Sequence, residues 1–411
     1  MAGPEADALS TQLARDIALF AYTASGSESW PIYPVAANFG HDKLMNGTAT
    51  ITVPLGDDLV TRYQGSTLGQ EFPEIVIRAF RRGATKPLWV GVVINTRLVS
   101  RGFNGTVDVT CEHIWQHLHR RRLVLNTAIN VVDFNEEADN IALKVTRMNI
   151  GPAPTVPAGH PTTRVSLGSF SVSVAANHSP ALAPTRRFVE QSGNSLLDVM
   201  NQLYESADLR PVLTDANSGA FTLDCDYPFA ENDLTDSIVF GQYRGNLTSF
   251  ELTSDRTGLA NVWALEGKTA KTPQWAADAA SITLWGEFEA YATKGEDAAV
   301  PTALLRTVND LRDGYGPARI MYKAEVVEID NHRFGIDWFW GDTIRFEEAV
   351  LGFYAEQTVT AWEIGMTDGV VRTINVTLGV PRAPDLMRHV IGYTGAPGRW
   401  GGSPWRNRRQ A

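Results

Sequence analysis

The sequence predicts a mainly β chain with some α, a β-rich α+β protein whose antiparallel strands close into small barrels. Three observations carry this. The 35 Gly and 21 Pro of the 411 residues are scattered throughout, so turns recur at short intervals. Short runs alternate apolar and polar residues, while long helical patterns are scarce. The 11 Trp supply bulk for thin cores or interfaces. Barrel closure follows because antiparallel strands otherwise leave open edges.

Residues 16–22 alternate Ile17, Leu19 and Ala21 with Ala18, Phe20 and Tyr22. Both sides are apolar, which leaves strand and helix open. Residues 47–53 form a strand, introduced by Asn46-Gly47, a pair suited to the positive φ of a tight turn. Residues 72–80 alternate again, 81–84 make a turn, and 88–94 form the next strand. Gly91 within it marks a bulge or a close backbone approach. Residues 106–111 alternate strictly, and from Glu112 the spacing of Ile114, Trp115 and Leu118 predicts a short helix to about Leu125.

Residues 151–161 hold Pro152, Pro154, Pro157 and Pro161 and read as a linker or long loop. Leu196, Val199, Met200, Leu203 and Tyr204 give the best helical stripe in the chain, with Asn194 or Ser195 as its cap. Strands follow at 210–214, 220–224, 249–253, 261–265 and 280–285, with a turn at 217–219 and a helix at 302–311. The final strands are 318–327, 343–346, 357–364 and 371–378, the last two joined around Asp368-Gly369. Residues 128–189 carry no clear assignment. The Arg/Gly/Pro/Trp-rich residues 386–411 contain no acid and read as a flexible basic tail.

Composition narrows the function. With 44% hydrophobic and 20% charged residues the chain folds around real cores. A net charge of −10 disfavours sequence-independent nucleic-acid binding. No apolar run suffices to span a bilayer, and residues 1–10 lack the basic start and apolar core of an export signal. Cys111 and Cys225, the only two cysteines, make no disulfide framework and fit a reducing cytoplasm.

Motifs that carry chemistry are sparse. Cys111, His113, His117 and His119 offer zinc's preferred ligand types, and His113 with His117 would share a helical face. His119 points away from that face, and a packed helix start after a strand-end Cys explains the run equally well. Asp224-Cys225-Asp226 resembles the start of wall-cleaving cysteine peptidases, but Tyr227-Pro228 replaces the small pair that lets a helix begin at the nucleophile. A Cys in an amphipathic strand is more often a small buried hydrophobe. Glu287 and Glu289 beside Trp285 suggest glycosidase carboxylates or simply one solvated strand face. Trp338, Trp340 and Trp362 suggest a sugar platform or core packing. No Gly-x-Ser-x-Gly elbow, Walker loop or His-Glu-x-x-His helix occurs.

Taken in order, the segments resemble one known family. Residues 44–54 are similar to its opening hairpin; 75–83, 87–93 and 107–113 to its strand, Gly-containing strand, strand and helix unit; and 193–209 to the helix opening its second domain. Residues 257–263, 281–286, 341–345 and 375–379 resemble its Asn-Val strand, Ser-Ile turn, Gly-Asp turn and closing Leu-Gly strand. The family is the phage tail baseplate hub, of the minor tail protein type of long non-contractile tails infecting actinobacteria, and the resemblance spans residues 15–380. Trp285 stands where the family often has Tyr.

The resemblance implies two small barrel-like hub domains with inserted helix-containing domains. The segments are 1–150, a first barrel with a terminal helix; 151–190, a linker or long loop; 191–250, a small helix-plus-strand domain; 251–385, a second barrel with an inserted helix; and 386–411, the tail. It implies a structural, non-enzymatic homotrimer at the virion tail tip, assembled in the host cytoplasm. This siphovirus ring would adapt a sixfold tube to a threefold tip and form part of the DNA conduit. Its partners would be the distal tail protein ring, the tape measure protein and other tail tip or receptor-binding proteins. DNA would be passing cargo, with no cofactor, no metal and no stable membrane insertion. Arg399, Trp400, Trp405, Arg406, Arg408 and Arg409 are the candidate partner contacts. The alternatives are a tail-associated wall hydrolase or a carbohydrate-binding receptor protein.

Overall fold

A computed structural model describes residues 16–23, 28–60, 75–84, 86–99, 105–124, 131–151, 154, 166–167, 170–191, 193–215, 220–255, 259–267, 272–294, 309, 319–348 and 353–379. The chain divides into a larger unit, Met1–Thr253 with Ile320–Pro381, and a smaller one, Ser254–Arg319 with Arg382–Ala411.

The larger unit opens with β1 (Ile17–Thr23), β2 (Ser29–Ile32), β3 (Ala36–His41), β4 (Thr48–Pro54), β5 (Ile75–Arg81), β6 (Trp89–Val99) and β7 (Thr106–His113). A 3-10 helix, Ile114–Arg120, follows. Next come β8 (Val131–Glu137), α1 (Ala138–Asn149), β9 (Ser166–Leu167), β10 (Phe170–Val174), β11 (Thr185–Gln191), α2 (Leu196–Ser206), β12 (Arg210–Asp215), β13 (Ala220–Asp226), β14 (Val239–Gly241) and β15 (Leu247–Asp255). The smaller unit holds β16 (Val262–Gly267), β17 (Gln274–Ala277), α3 (Ala279–Trp285) and β18 (Glu289–Lys294). The larger unit closes with β19 (Arg319–Val326), β20 (Thr343–Glu348), β21 (Phe353–Thr367) and β22 (Val370–Gly379).

The β-rich α+β class is what the structure has. Thirteen strands form a single sheet in the order β15-β19-β22-β21-β3-β4-β7-β6-β5-β1-β2, with β14 joined through β20 to β21. No closed barrel is detected among the described residues, so the sequence's closed barrels give way to one sheet. β21, 15 residues long, has three partners, and over 362–367 it lies between β22 and β3. Its first part pairs with β20, while 362–367 pair with β3, register Trp362↔His41 to Thr367↔Ala36. Strands from the two ends of the chain therefore join directly.

The apolar doubling of 16–22 now has its cause. Ile17, Leu19 and Ala21 enter a core with Phe39, Trp89 and Trp362, while Ala18, Phe20 and Tyr22 pack with Val76, Phe80 and Ile114 on the other side. A further core sets α1 and α2 against β13, through Ile141, Val145, Val199, Leu203 and Leu223. Ser195 caps α2 by accepting from Asp198 N–H. The predicted turn at Asp368-Gly369 has φ of 53° and 81°, as an Asp-Gly hairpin requires.

Several expectations change. Residues 280–285 are helix, not strand: Asp278 accepts from Ser281 N–H at the start, and Gly286, at φ 81°, ends it. The predicted helix after Glu112 is shorter, because β7 continues to His113 and only the 3-10 segment follows. Gly91 serves close approach: a Cβ there would lie 1.9 Å from the Trp89 ring, whereas the bulge falls between Val93 and Asn95. β3 and α1 were not expected. The helix at 302–311, the turn at 217–219, the tail 386–411 and most of the linker 151–161 lie outside the described residues. Among the described residues, no helix is long and apolar enough to cross a membrane.

Candidate functional site

β7 turns Cys111 and His113 inward, as its strict alternation dictates. Cys111 is 0% exposed, and burial pushes its thiol well up. His113 Nδ1 accepts the Trp115 backbone N–H at 3.3 Å, and its ring stacks obliquely 5.3 Å from His41. Burial, then the neighbouring His41 and His117, hold His113 well below the usual histidine range. His117 is buried with Nε2 3.1 Å from Glu112, and burial followed by Arg120 lowers it to about 3. His119 is exposed. Among the described residues no group of three or more His, Cys, Asp or Glu is arranged to hold a metal ion.

His41 joins this cluster from β3, unseen in the sequence. Its ring lies 4.9 Å from Trp340 and 5.0 Å from Trp362. Trp338, Trp340 and Trp362 are only 2–3% exposed and sit in the main core. A sugar platform there is overturned, since no ring face is offered to solvent.

Cys225 is equally enclosed. Its Sγ donates to the Asp139 carbonyl at 3.6 Å, and burial followed by the charge of Asp224 raises the thiol. His178 faces Asp139 at 2.8 Å and Asp224 at 3.1 Å, so this imidazole is committed to carboxylates. A thiol held protonated and out of solvent is a poor nucleophile. Glu287 and Glu289 are exposed. Arg399, Trp400, Trp405, Arg406, Arg408 and Arg409 lie outside the described residues.

What the larger unit does present is a furrow of about 500 Å³ across β4, β3, β21, β22, β19 and β15. Gly40, Gly47, Ala324 and Ala361 line it, bordered by Glu251, Lys323, Glu325 and Glu363. Glu325, Asn375 and Glu363 stand side by side on adjacent strands, and Asn38 donates to Glu363 at 2.6 Å. His41, which also borders it, is engaged through both ring nitrogens. Strand alternation exposes these Glu, but only tertiary pairing aligns them. On β6, Ile94 at the bulge is 46% exposed and Leu98 beyond it 60%.

No protein-family model matches the chain, and no curated protein matches it either. Solved structures do. A tail protein from Neisseria meningitidis MC58 superposes with TM-score 0.56 at 9% identity, covering 89% of this chain and 96% of that one. The 43 kDa tail protein of prophage MuSo2 from Shewanella oneidensis gives 0.55 at 13% identity, covering 90% and 99%. The prophage tail protein gp18 from Listeria monocytogenes gives 0.51 at 11% identity, covering 89% and 95%. The chain therefore shares its fold, almost end to end, with tail proteins.

Proposed function

We propose that the chain is a structural baseplate hub protein of a phage tail, a homotrimeric ring at the tail tip that adapts the sixfold tube to a threefold tip. The observation that carries this is the near end-to-end match to three tail proteins, each more than nine-tenths covered. The long-tailed, actinobacterial minor tail type rests on the ordered sequence segments alone. The role needs no catalysis, and the enclosed Cys225 and Trp338 to Trp362 are consistent with that. Ile94 and Leu98 are suited to burial between copies, since exposed apolar residues on a strand mark contact surfaces. A net charge of −10 suits a conduit through which DNA passes without adhering. Its neighbours would be the distal tail ring, the tape measure protein and the receptor-binding proteins, joined during assembly in the host cytoplasm. Light scattering of the full chain at micromolar concentration tests the ring: three chain masses and threefold images support it, and a persistent monomer refutes it.

A further inference from the structure

The smaller unit carries a flat aromatic face on a sheet whose core lies on the other side. β17, β16 and β18 pair so that Trp275 and Tyr291 stand on either side of Ala264, and directly opposed residues share one side of a sheet. Val262, two residues back along β16, lies on that side too. Trp263, Leu265, Ala276 and Ala292, on the opposite side, are buried.

Trp275 and Tyr291 are each 55% exposed, yet Ala264 between them is 1% exposed and Val262 is 8%. The two rings therefore lie down across β16, and the surface they offer is continuous, without a cleft. The Tyr291 hydroxyl shows this lean: it donates to Glu266, which stands on β16 one row beyond Ala264. Rings laid over a strand turn their faces to solvent.

Size, shape and charge narrow the occupant. At about 150–250 Å² per aromatic side chain, the exposed part of the pair is on the order of 200 Å². A protein partner covers roughly 800 Å², so the face is too small for a second copy and fits a thin ligand. Ring faces carry the negative side of the aromatic quadrupole, which suits the weakly positive C–H face of a pyranose. Glu289, two residues before Tyr291 on the same side, is exposed, and Glu266 borders the other end. These carboxylates repel phosphate- or carboxylate-bearing ligands but accept hydrogen bonds from hydroxyls. We propose that the Trp275–Tyr291 face binds a neutral glycan, a pyranose stacked on each ring and hydroxyls directed to Glu266 and Glu289. This binding is independent of the ring architecture proposed for the chain.

Calorimetry of the full chain with cellohexaose, chitohexaose and mannohexaose tests this, with a hyaluronan hexasaccharide as the acidic control. At least one neutral hexasaccharide should bind, the acidic one should not, and added salt should leave the affinity unchanged. Each ring deleted removes roughly 100 Å² of apolar contact, so Trp275→Ala and Tyr291→Ala should each weaken binding at least about tenfold. Trp275→Leu/Tyr291→Leu keeps β16 covered but has no flat face, and it should abolish binding with the melting temperature unchanged. Failure of all three neutral glycans to bind, or equal affinity in wild type and the Leu variant, overturns the proposal. Binding that salt abolishes, or a preference for hyaluronan, overturns the neutral assignment. A changed oligomeric state in the Leu variant marks the face as a contact between copies and overturns the glycan site.

Discussion

Lowering the pH from 6.5 to 4 should weaken the larger unit through one buried side chain, His41. The Trp362 indole can only donate, so His41 Nε2 accepts it at 3.1 Å, and Nδ1–H donates to the Asp42 carbonyl at 2.9 Å. The neutral imidazole therefore satisfies both partners, and a second proton on Nε2 would face the indole's own N–H. Burial lowers the pKa from 6.5 to about 4, against the Asp42 hydrogen bond, which pulls the other way. The unfolded chain takes up its proton first. Stability contributed by neutral His41 is complete above pH 6.5, falls as the pH drops toward 4, and is level below that. At about 1.4 kcal/mol per pH unit, the 2.5-unit gap amounts to about 3 kcal/mol. Urea unfolding at several pH values, wild type against His41→Gln, measures it. Gln keeps a donor and an acceptor without titrating, so the variant should lose about 3 kcal/mol less across this window. Parallel losses in the two proteins would refute the reasoning. His113 and His117 shift in the same direction and steepen the acid response of both.

Four other outcomes are expected. Arg78, 0% exposed, pairs with Asp215 and lies 4.0 Å from the Tyr22 ring, so Asp215→Ala should cost about 3–5 kcal/mol by denaturant titration. Gly91→Val should cost about 1–3 kcal/mol or more, because its Cβ would meet the Trp89 ring at 1.9 Å. Asn261 donates to the Gly286 carbonyl and accepts the Phe288 N–H, each at 2.8 Å; Asn261→Ala should speed hydrogen exchange across 279–289 by roughly the loss of two bonds, about 2 kcal/mol. If the proposed trimer forms, Leu98→Asp should leave the monomer's melting temperature unchanged yet abolish that trimer in light scattering, since Leu98 is 60% exposed in the single chain.

Local chemistry was enough to recognise much of this protein. Strict alternation marks β7 and β4, the Asp-Gly pair marks the β21–β22 turn, and the stripe from Leu196 to Tyr204 marks α2, because each signal lies within a few residues of its consequence. Residues 280–285 misled because alternation and one helical turn look alike over so short a run, and the Asp278 cap tips it to helix. α1 hid because Asp139, Asn140 and Asn149 are buried inside it through hydrogen bonds, which breaks the apolar stripe. Position 41 and position 362 carry no mark of one another, although 321 residues apart they share a hydrogen bond. The same holds for Arg78 with Asp215, for the row of Glu325, Asn375 and Glu363, and for Trp275 and Tyr291 on either side of Ala264. Strand and helix follow from period and caps along the chain. Which strand edges meet, and hence how thirteen strands join in one sheet, depends on contacts between distant segments that only the folded chain brings together.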